Sequence, residues 1–263
     1  MDKTTLFFFS ISIIFLATTV GSAFVFFFKK SLSPKLGNII IGFASGIMFS
    51  AAIFGLLIPS INEGNIIFEG FNFIYISIGF LLGGLLLFAL DKIIPHFHTN
   101  ASLPEGPKND KITKNIKFFL AVTIHNIPEG LAVGFAVGLA FLSNDPVYIY
   151  AGLSLSIGIA IQNIPEGSAV SISMFENNFS KKKSFLYGTL SGIVEPLFAV
   201  IGFLFQQLFS FMLPILLAFA AGAMIYVTVD ELLPEARQKG FEHYGIWSFM
   251  FGFLLMLILE ITI

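Results

Sequence analysis

The chain has 263 residues, of which 56% are hydrophobic and 11% charged, with a formal net charge of −2 and a mean hydropathy of +0.89. An ordinary soluble domain carries roughly 25% charged residues. So few charges exclude most soluble enzymes and binding modules, and the near-neutral balance excludes a nucleic-acid binder, which needs a basic face. There is no Cys, hence no disulfide framework and no thiolate metal site. What remains is an all-α polytopic membrane protein, expected in the cell membrane as a multi-pass chain.

A bilayer-spanning helix needs roughly 20 mainly apolar residues. Eight such runs are expected at about 4–28, 36–59, 71–91, 117–142, 147–174, 184–209, 211–233 and 244–263, called spans 1 to 8. The 34 Phe residues are read as lipid-facing and packing bulk. Span 1 is read as a retained helix rather than a cleaved leader, because its apolar run is too long for a signal core and ends at Lys29-Lys30. The whole chain, 1–263, is expected to form a single transmembrane domain.

Basic residues set the expected threading. Lys29, Lys30 and Lys35 lie between spans 1 and 2. Lys92, Lys108, Lys111, Lys114 and Lys117 lie between spans 3 and 4. Lys181, Lys182 and Lys183 lie between spans 5 and 6, and Arg237 and Lys239 between spans 7 and 8. The remaining basic residue is Lys3, at the N-terminus. By the positive-inside rule the odd-numbered loops face the cytoplasm and both termini face the outside. The longest loop, about 92–116, is rich in Pro, Gly, Asn and Lys and carries His96 and His98. It is read as a solvated cytoplasmic loop, two His in a polar segment being weak evidence for a metal.

The chain repeats itself. His125-Asn126-Ile127-Pro128-Glu129-Gly130 in span 4 recurs as Gln162-Asn163-Ile164-Pro165-Glu166-Gly167 in span 5. A weaker repeat relates Ala44-Ser45-Gly46-Ile47-Met48 in span 2 to Ala220-Ala221-Gly222-Ala223-Met224 in span 7. Gly79-Phe80-Leu81-Leu82 in span 3 matches Gly252-Phe253-Leu254-Leu255 in span 8. In the expected threading spans 2 and 7 run in opposite directions. Inverted repeats of this kind mark secondary transporters, whose site lies near the midplane at the repeat interface; generic small-residue packing is the other source of such matches.

A carboxylate at the bilayer centre costs about 2.5–3.5 kcal/mol on insertion scales. Glu129, Glu166 and Glu195 each fall well inside an apolar run in which the one basic residue is Lys117, at the very start of span 4 and too far from Glu129 to pair with it. They call for a cation, protons or a wet cavity. His125 and Glu129 are four residues apart, on one helix face, and Gln162 and Glu166 repeat the spacing. Pro128 and Pro165 lack an N–H and free the carbonyls of Ile124 and Ile161. Gly130 and Gly167 permit close helix approach. Two kinked helices packed together then present two Glu, one His, one Gln and two Asn to a common point. Glu195, followed by Pro196, is a third inward carboxylate. Met48 taken alone reads as packing. Asp91, Asp230, Glu231 and Glu260 fall near span ends, where an interface or vestibule can hydrate them. Imidazole, carboxylate and amide donors suit a borderline divalent cation such as Zn²⁺, Fe²⁺, Mn²⁺ or Cd²⁺; Mg²⁺ and Ca²⁺ prefer all-oxygen shells.

With these residues in place, the two motifs in an eight-span chain closely resemble the ZIP family of divalent metal transporters, its bacterial GufA-like branch above all. The resemblance implies an inverted 3+2+3 arrangement of spans and a binuclear mid-membrane site. Met48, His125, Glu129, Gln162 and Glu166 would form the first site. Asn126, Glu129, Asn163, Glu166 and Glu195 would form the second, with both Glu129 and Glu166 bridging. Some family members carry Asp where Asn163 stands, so one negative charge is missing here. The implied activity is import of Zn²⁺ or a related divalent metal into the cytoplasm, with the metal as cargo and no resident cofactor. Its partners are the metal ion and the bilayer, no nucleic acid, and a homodimer is common among such transporters. A selective metal channel is the main rival. An intramembrane metal enzyme fits poorly: a zinc protease needs a motif such as His-Glu-x-x-His, and a di-iron protein needs Glu-x-x-His on two helices.

Overall fold

The computed structural model describes residues 1–27, 33–67, 70–93, 114–143, 145–176, 178–237 and 240–262. His96 and His98 lie outside the described residues. Among the described residues every regular element is helical, and eight helical segments are long and apolar enough to cross a membrane. They are Lys3–Phe26, Pro34–Ile67, Asn72–Leu90, Val122–Leu142, Val147–Glu176, Lys181–Leu208, Leu213–Glu235 and Glu242–Thr262, and they take the span numbers 1 to 8. Local chemistry sets several starts. The Asp2 carboxylate caps span 1 by accepting from Thr5 N at 2.8 Å. Ser33 caps span 2 ahead of Pro34, and Ser180 caps span 6.

Three spans depart from the expected outline. Span 2 runs eight residues past its expected end at 59 and stops at Ile67. Pro59 does not end it, because the helix widens into a π-helical turn at Ala51–Leu57 just before the Ile58-Pro59 step. Span 7 does the same at Thr228–Leu232, before Leu233-Pro234. In an α register Pro would leave the carbonyl four residues earlier without its N–H, and the wider turn re-registers the backbone ahead of it. Span 6 was expected to be continuous but breaks into Lys181–Ser191 and Val194–Leu208. Pro196 cannot donate to Gly192, and the chain turns tightly there, with Glu195 N donating to Gly192 O at 3.2 Å.

The most extensive helix pairings are span 1 with span 5, span 4 with span 6, span 2 with span 8, and span 3 with span 7. Spans 2 and 3 join through Gly70, at φ +78°, and spans 7 and 8 through Gly240, at φ +89°. A Phe follows each glycine, and Phe71 O and Phe241 O accept from Ile74 N and Tyr244 N at 3.0 and 3.1 Å. Span 4 is central: 83% of its most apolar stretch is buried, against 22% in spans 3 and 8. Spans 3 and 8 expose rows of Phe, Leu and Ile outward, as a lipid-facing surface requires.

Candidate metal centre

Spans 4 and 5 carry Pro128 and Pro165 inside continuous helices, so the duplicated motif stays on helical faces. Gly130 and Gly167 then let backbones touch. A side chain at Gly130 would overlap the Glu195 carbonyl oxygen of span 6, and one at Gly167 the Thr18 carbonyl oxygen of span 1. The two glycines thus press span 4 onto span 6 and span 5 onto span 1, closing four helices around the polar residues.

Glu129, Asn126, Gln162, Asn163 and Glu195 are wholly buried, and His125 nearly so. Gln162 Nε2 donates to Glu129 Oε1 at 2.5 Å and stands 3.1 Å from Glu166 Oε1. One amide therefore links the two motif carboxylates across spans 4 and 5. Asn126 Nδ2 donates to Glu195 Oε1 at 3.0 Å and to Ser191 O at 3.0 Å. Asn163 Nδ2 donates to Glu195 Oε2, and also to Ile14 O of span 1 at 3.2 Å. Seven of the expected site residues, those of spans 4, 5 and 6, are thus joined by shared side-chain partners or by the helix face they occupy. Met48 is wholly buried on span 2, in the apolar cluster with Ile47, Ala51 and Leu56, and no hydrogen bond ties it to the polar set.

Sequence reasoning missed two members of the network. Thr18 Oγ1, from span 1, donates to Glu195 Oε1 at 3.0 Å. A lone Thr in an apolar span has no signal that separates it from packing. Glu231, from the π turn of span 7, meets His125 Nε2 at 2.5 Å. It was expected in a hydrated vestibule at a span end, yet its side chain is only 10% exposed.

The donor directions decide what the centre can hold. Every amide nitrogen named above points at a carboxylate or a backbone carbonyl. The opposite ends of the same groups, Asn126 Oδ1, Asn163 Oδ1, Gln162 Oε1, Glu129 Oε2 and Glu166 Oε2, are buried with no hydrogen-bond donor. A buried polar atom left without a partner costs about 1–3 kcal/mol. These five buried oxygens, carried by the motif residues of spans 4 and 5, suit a positive ion better than a neutral ligand lacking donors. Among the described residues, no group of three or more His, Asp or Glu side chains is placed to hold a metal ion.

A family model for the ZIP zinc transporter matches residues 107–260. The chain belongs to the ZIP family. It is 40% identical over 188 residues to the zinc transporter GufA of Myxococcus xanthus, covering 72% of this chain and 71% of that protein. It is 33% identical over 269 residues to the zinc transporter ZupT of Chlorobaculum parvum, covering 97% of each. It is 31% identical over 322 residues to the zinc transporter ZIP11 of Homo sapiens, covering 93% of each. The match to the ZIP family model takes in both copies of the duplicated motif and Glu195, while Met48 and Thr18 lie before it.

Proposed function

We propose that this ZIP protein imports Zn²⁺ or a related divalent metal into the cytoplasm, and that it acts as a transporter and not as an enzyme. The observation that carries the reading is the set of five buried, donor-less oxygens on Asn126, Glu129, Gln162, Asn163 and Glu166. The names of its relatives as zinc transporters support the choice of cargo. The ion sheds water among these oxygens and His125, whose Nε2 is held by the Glu231 carboxylate. A first ion would take Met48, His125, Glu129, Gln162 and Glu166. A second would take Asn126, Asn163 and Glu195, sharing Glu129 and Glu166. Neutral amides mixed with carboxylates give binding strong enough to dehydrate the ion and weak enough to release it.

The threading with both termini outside and the inverted 3+2+3 arrangement belong to the same reading. Exchanging span 1 with 6, 2 with 7, 3 with 8 and 4 with 5 turns each major helix pairing into another that is present. It also matches the two π turns and the two left-handed glycines. Such pseudo-symmetry supports alternating access, with spans 1, 4, 5 and 6 moving against spans 2, 3, 7 and 8.

Metal uptake into proteoliposomes tests the proposal, with Zn²⁺, Fe²⁺, Mn²⁺ and Cd²⁺ compared. Saturable uptake of at least one metal is expected, falling by about 10–100-fold or more in Glu166→Ala and His125→Ala. Full uptake of every metal in both variants would overturn the site.

A further inference from the structure

We infer that Tyr148 and Glu63 form an access gate between the outside of the bundle and a chamber that leads to the metal centre. The inference deepens the transport reading and rests on it for the identity of the cargo. Tyr148 stands in the first turn of span 5 and Glu63 near the end of span 2. The phenol Oη donates to Glu63 Oε1.

Two cavities meet at this pair. The inner one, of about 210 Å³, is lined by Gly55, Pro59, Ala136, Ala151 and Leu217 among others. The outer one, of about 430 Å³, is lined by Ile67, Leu142, Ser143, Phe211 and Leu213 among others. Glu63, Tyr148 and Leu139 line both. The pair therefore stands in the wall between a chamber and an outer mouth.

Helix register connects the chamber to the metal centre. Ala136 follows Glu129 by seven residues on span 4, and Ala151 precedes Gln162 by eleven on span 5. Seven and eleven residues are close to two and three full turns, so both chamber residues share a face with the site residues. The chamber lies roughly 10–17 Å along the helices from them. Leu155, wholly buried, sits between Ala151 and Gln162 on that face and touches the space beside Gly55. An ion arriving from the mouth would pass Tyr148–Glu63, enter the chamber and then meet Leu155.

The two gate residues are mounted on opposite halves of the molecule. Tyr148 is braced to the half that holds spans 1, 4, 5 and 6. Asp145 Oδ1 accepts from Val147 N at 3.0 Å, and Lys3 Nζ donates to Phe141 O and Ser143 O at 3.1 and 2.6 Å. Glu63 belongs to the other half, where Ser60 Oγ donates to Pro214 O of span 7 at 2.7 Å. Movement of one half against the other would part the Tyr148–Glu63 pair, whose two members sit on different halves. A divalent cation at the mouth also competes with the phenol proton for the Glu63 carboxylate, so the cargo itself favours opening.

The chain has no Cys, so a single introduced thiol reports access without background. Ala151→Cys places it in the chamber and Leu142→Cys places it in the mouth. Intact cells are treated with a cationic, membrane-impermeant methanethiosulfonate, and inverted vesicles serve for the opposite face. The Ala151 position is expected to react at least about tenfold more slowly than the Leu142 position. Adding Tyr148→Phe or Glu63→Gln is expected to speed its reaction about fivefold or more while leaving the Leu142 position unchanged, which also shows that the variants fold. An Ala151 position that reacts as fast as Leu142 in the parent, or that neither variant accelerates from either face, overturns the gate. Labelling requires no metal movement, so its failure leaves the transport reading standing, and a failure of metal uptake leaves the gate standing.

Discussion

Asn163 shows how one side chain sets the character of the centre. Its Nδ2 donates to Glu195, so the amide compensates a buried anion that an Asp would repel. Replacing it by Asp removes that donor and sets a second buried carboxylate beside Glu195. Leaving a buried acceptor unsatisfied costs about 1–3 kcal/mol, and a like charge adds to it. Asn163→Asp is therefore expected to lower the metal-free thermal midpoint in detergent and to enlarge the stabilisation that Cd²⁺ or Zn²⁺ provides. A midpoint that does not move would show that the Asn163–Glu195 contact carries no weight. Thr18 offers a gentler probe of the same carboxylate. Thr18→Val should destabilise by about 1–3 kcal/mol and Thr18→Ser should recover most of the loss, because only the hydroxyl reaches Glu195.

At the scale of helices, packing depends on glycines that let one backbone seat on another. A side chain at Gly46 would overlap the Phe249 carbonyl oxygen of span 8, and one at Gly83 the Phe219 carbonyl oxygen of span 7. Each sits in one of the two symmetric outer pairings. Gly46→Ala and Gly83→Ala are each expected to cost about 1–3 kcal/mol through forced backbone separation, read as a drop in thermal midpoint. Gly37 has open space around it, so Gly37→Ala should be neutral or stabilising by about 0.5–1 kcal/mol. Equal effects at all three positions would show that backbone contact is not what these glycines serve. The π turns belong to this scale as well. Apolar run length located spans 2 and 7 and ended them at about 59 and 233, at Pro59 and just before Pro234. The widened turns absorb the missing N–H groups, and the turn in span 7 brings Glu231 to His125. No local pattern announces a π turn, because it is settled by what packs against the helix.

For the whole molecule, the His125–Glu231 contact joins the half that carries the motif to the half that does not. An ion bound through His125 Nε2 would displace Glu231, and one bound through Nδ1 would keep that contact as a second-layer hydrogen bond; either way the contact ties the site to both halves. A ligand that binds only the folded state stabilises it by about 2.7 kcal/mol at a hundredfold excess over its dissociation constant. Saturating Zn²⁺ or Cd²⁺ is thus expected to raise the thermal midpoint of the purified protein, a chelator to reverse the rise, and Glu129→Ala with Glu166→Ala together to abolish it. An undiminished rise in the double variant would place the bound metal elsewhere.

The sequence by itself determined the eight spans, because bilayer thickness imposes a length and an apolar composition that are written locally. It also marked His125, Glu129, Gln162 and Glu166, because a repeated carboxylate in an apolar helix has few physical excuses. Only the tertiary structure decided the break in span 6, the extension of span 2, and the places of Thr18, Glu231, Tyr148 and Glu63. Those residues owe their roles to partners between 85 and 177 positions away in the chain. Which helix faces meet is chosen by packing, and no local stretch of residues records it.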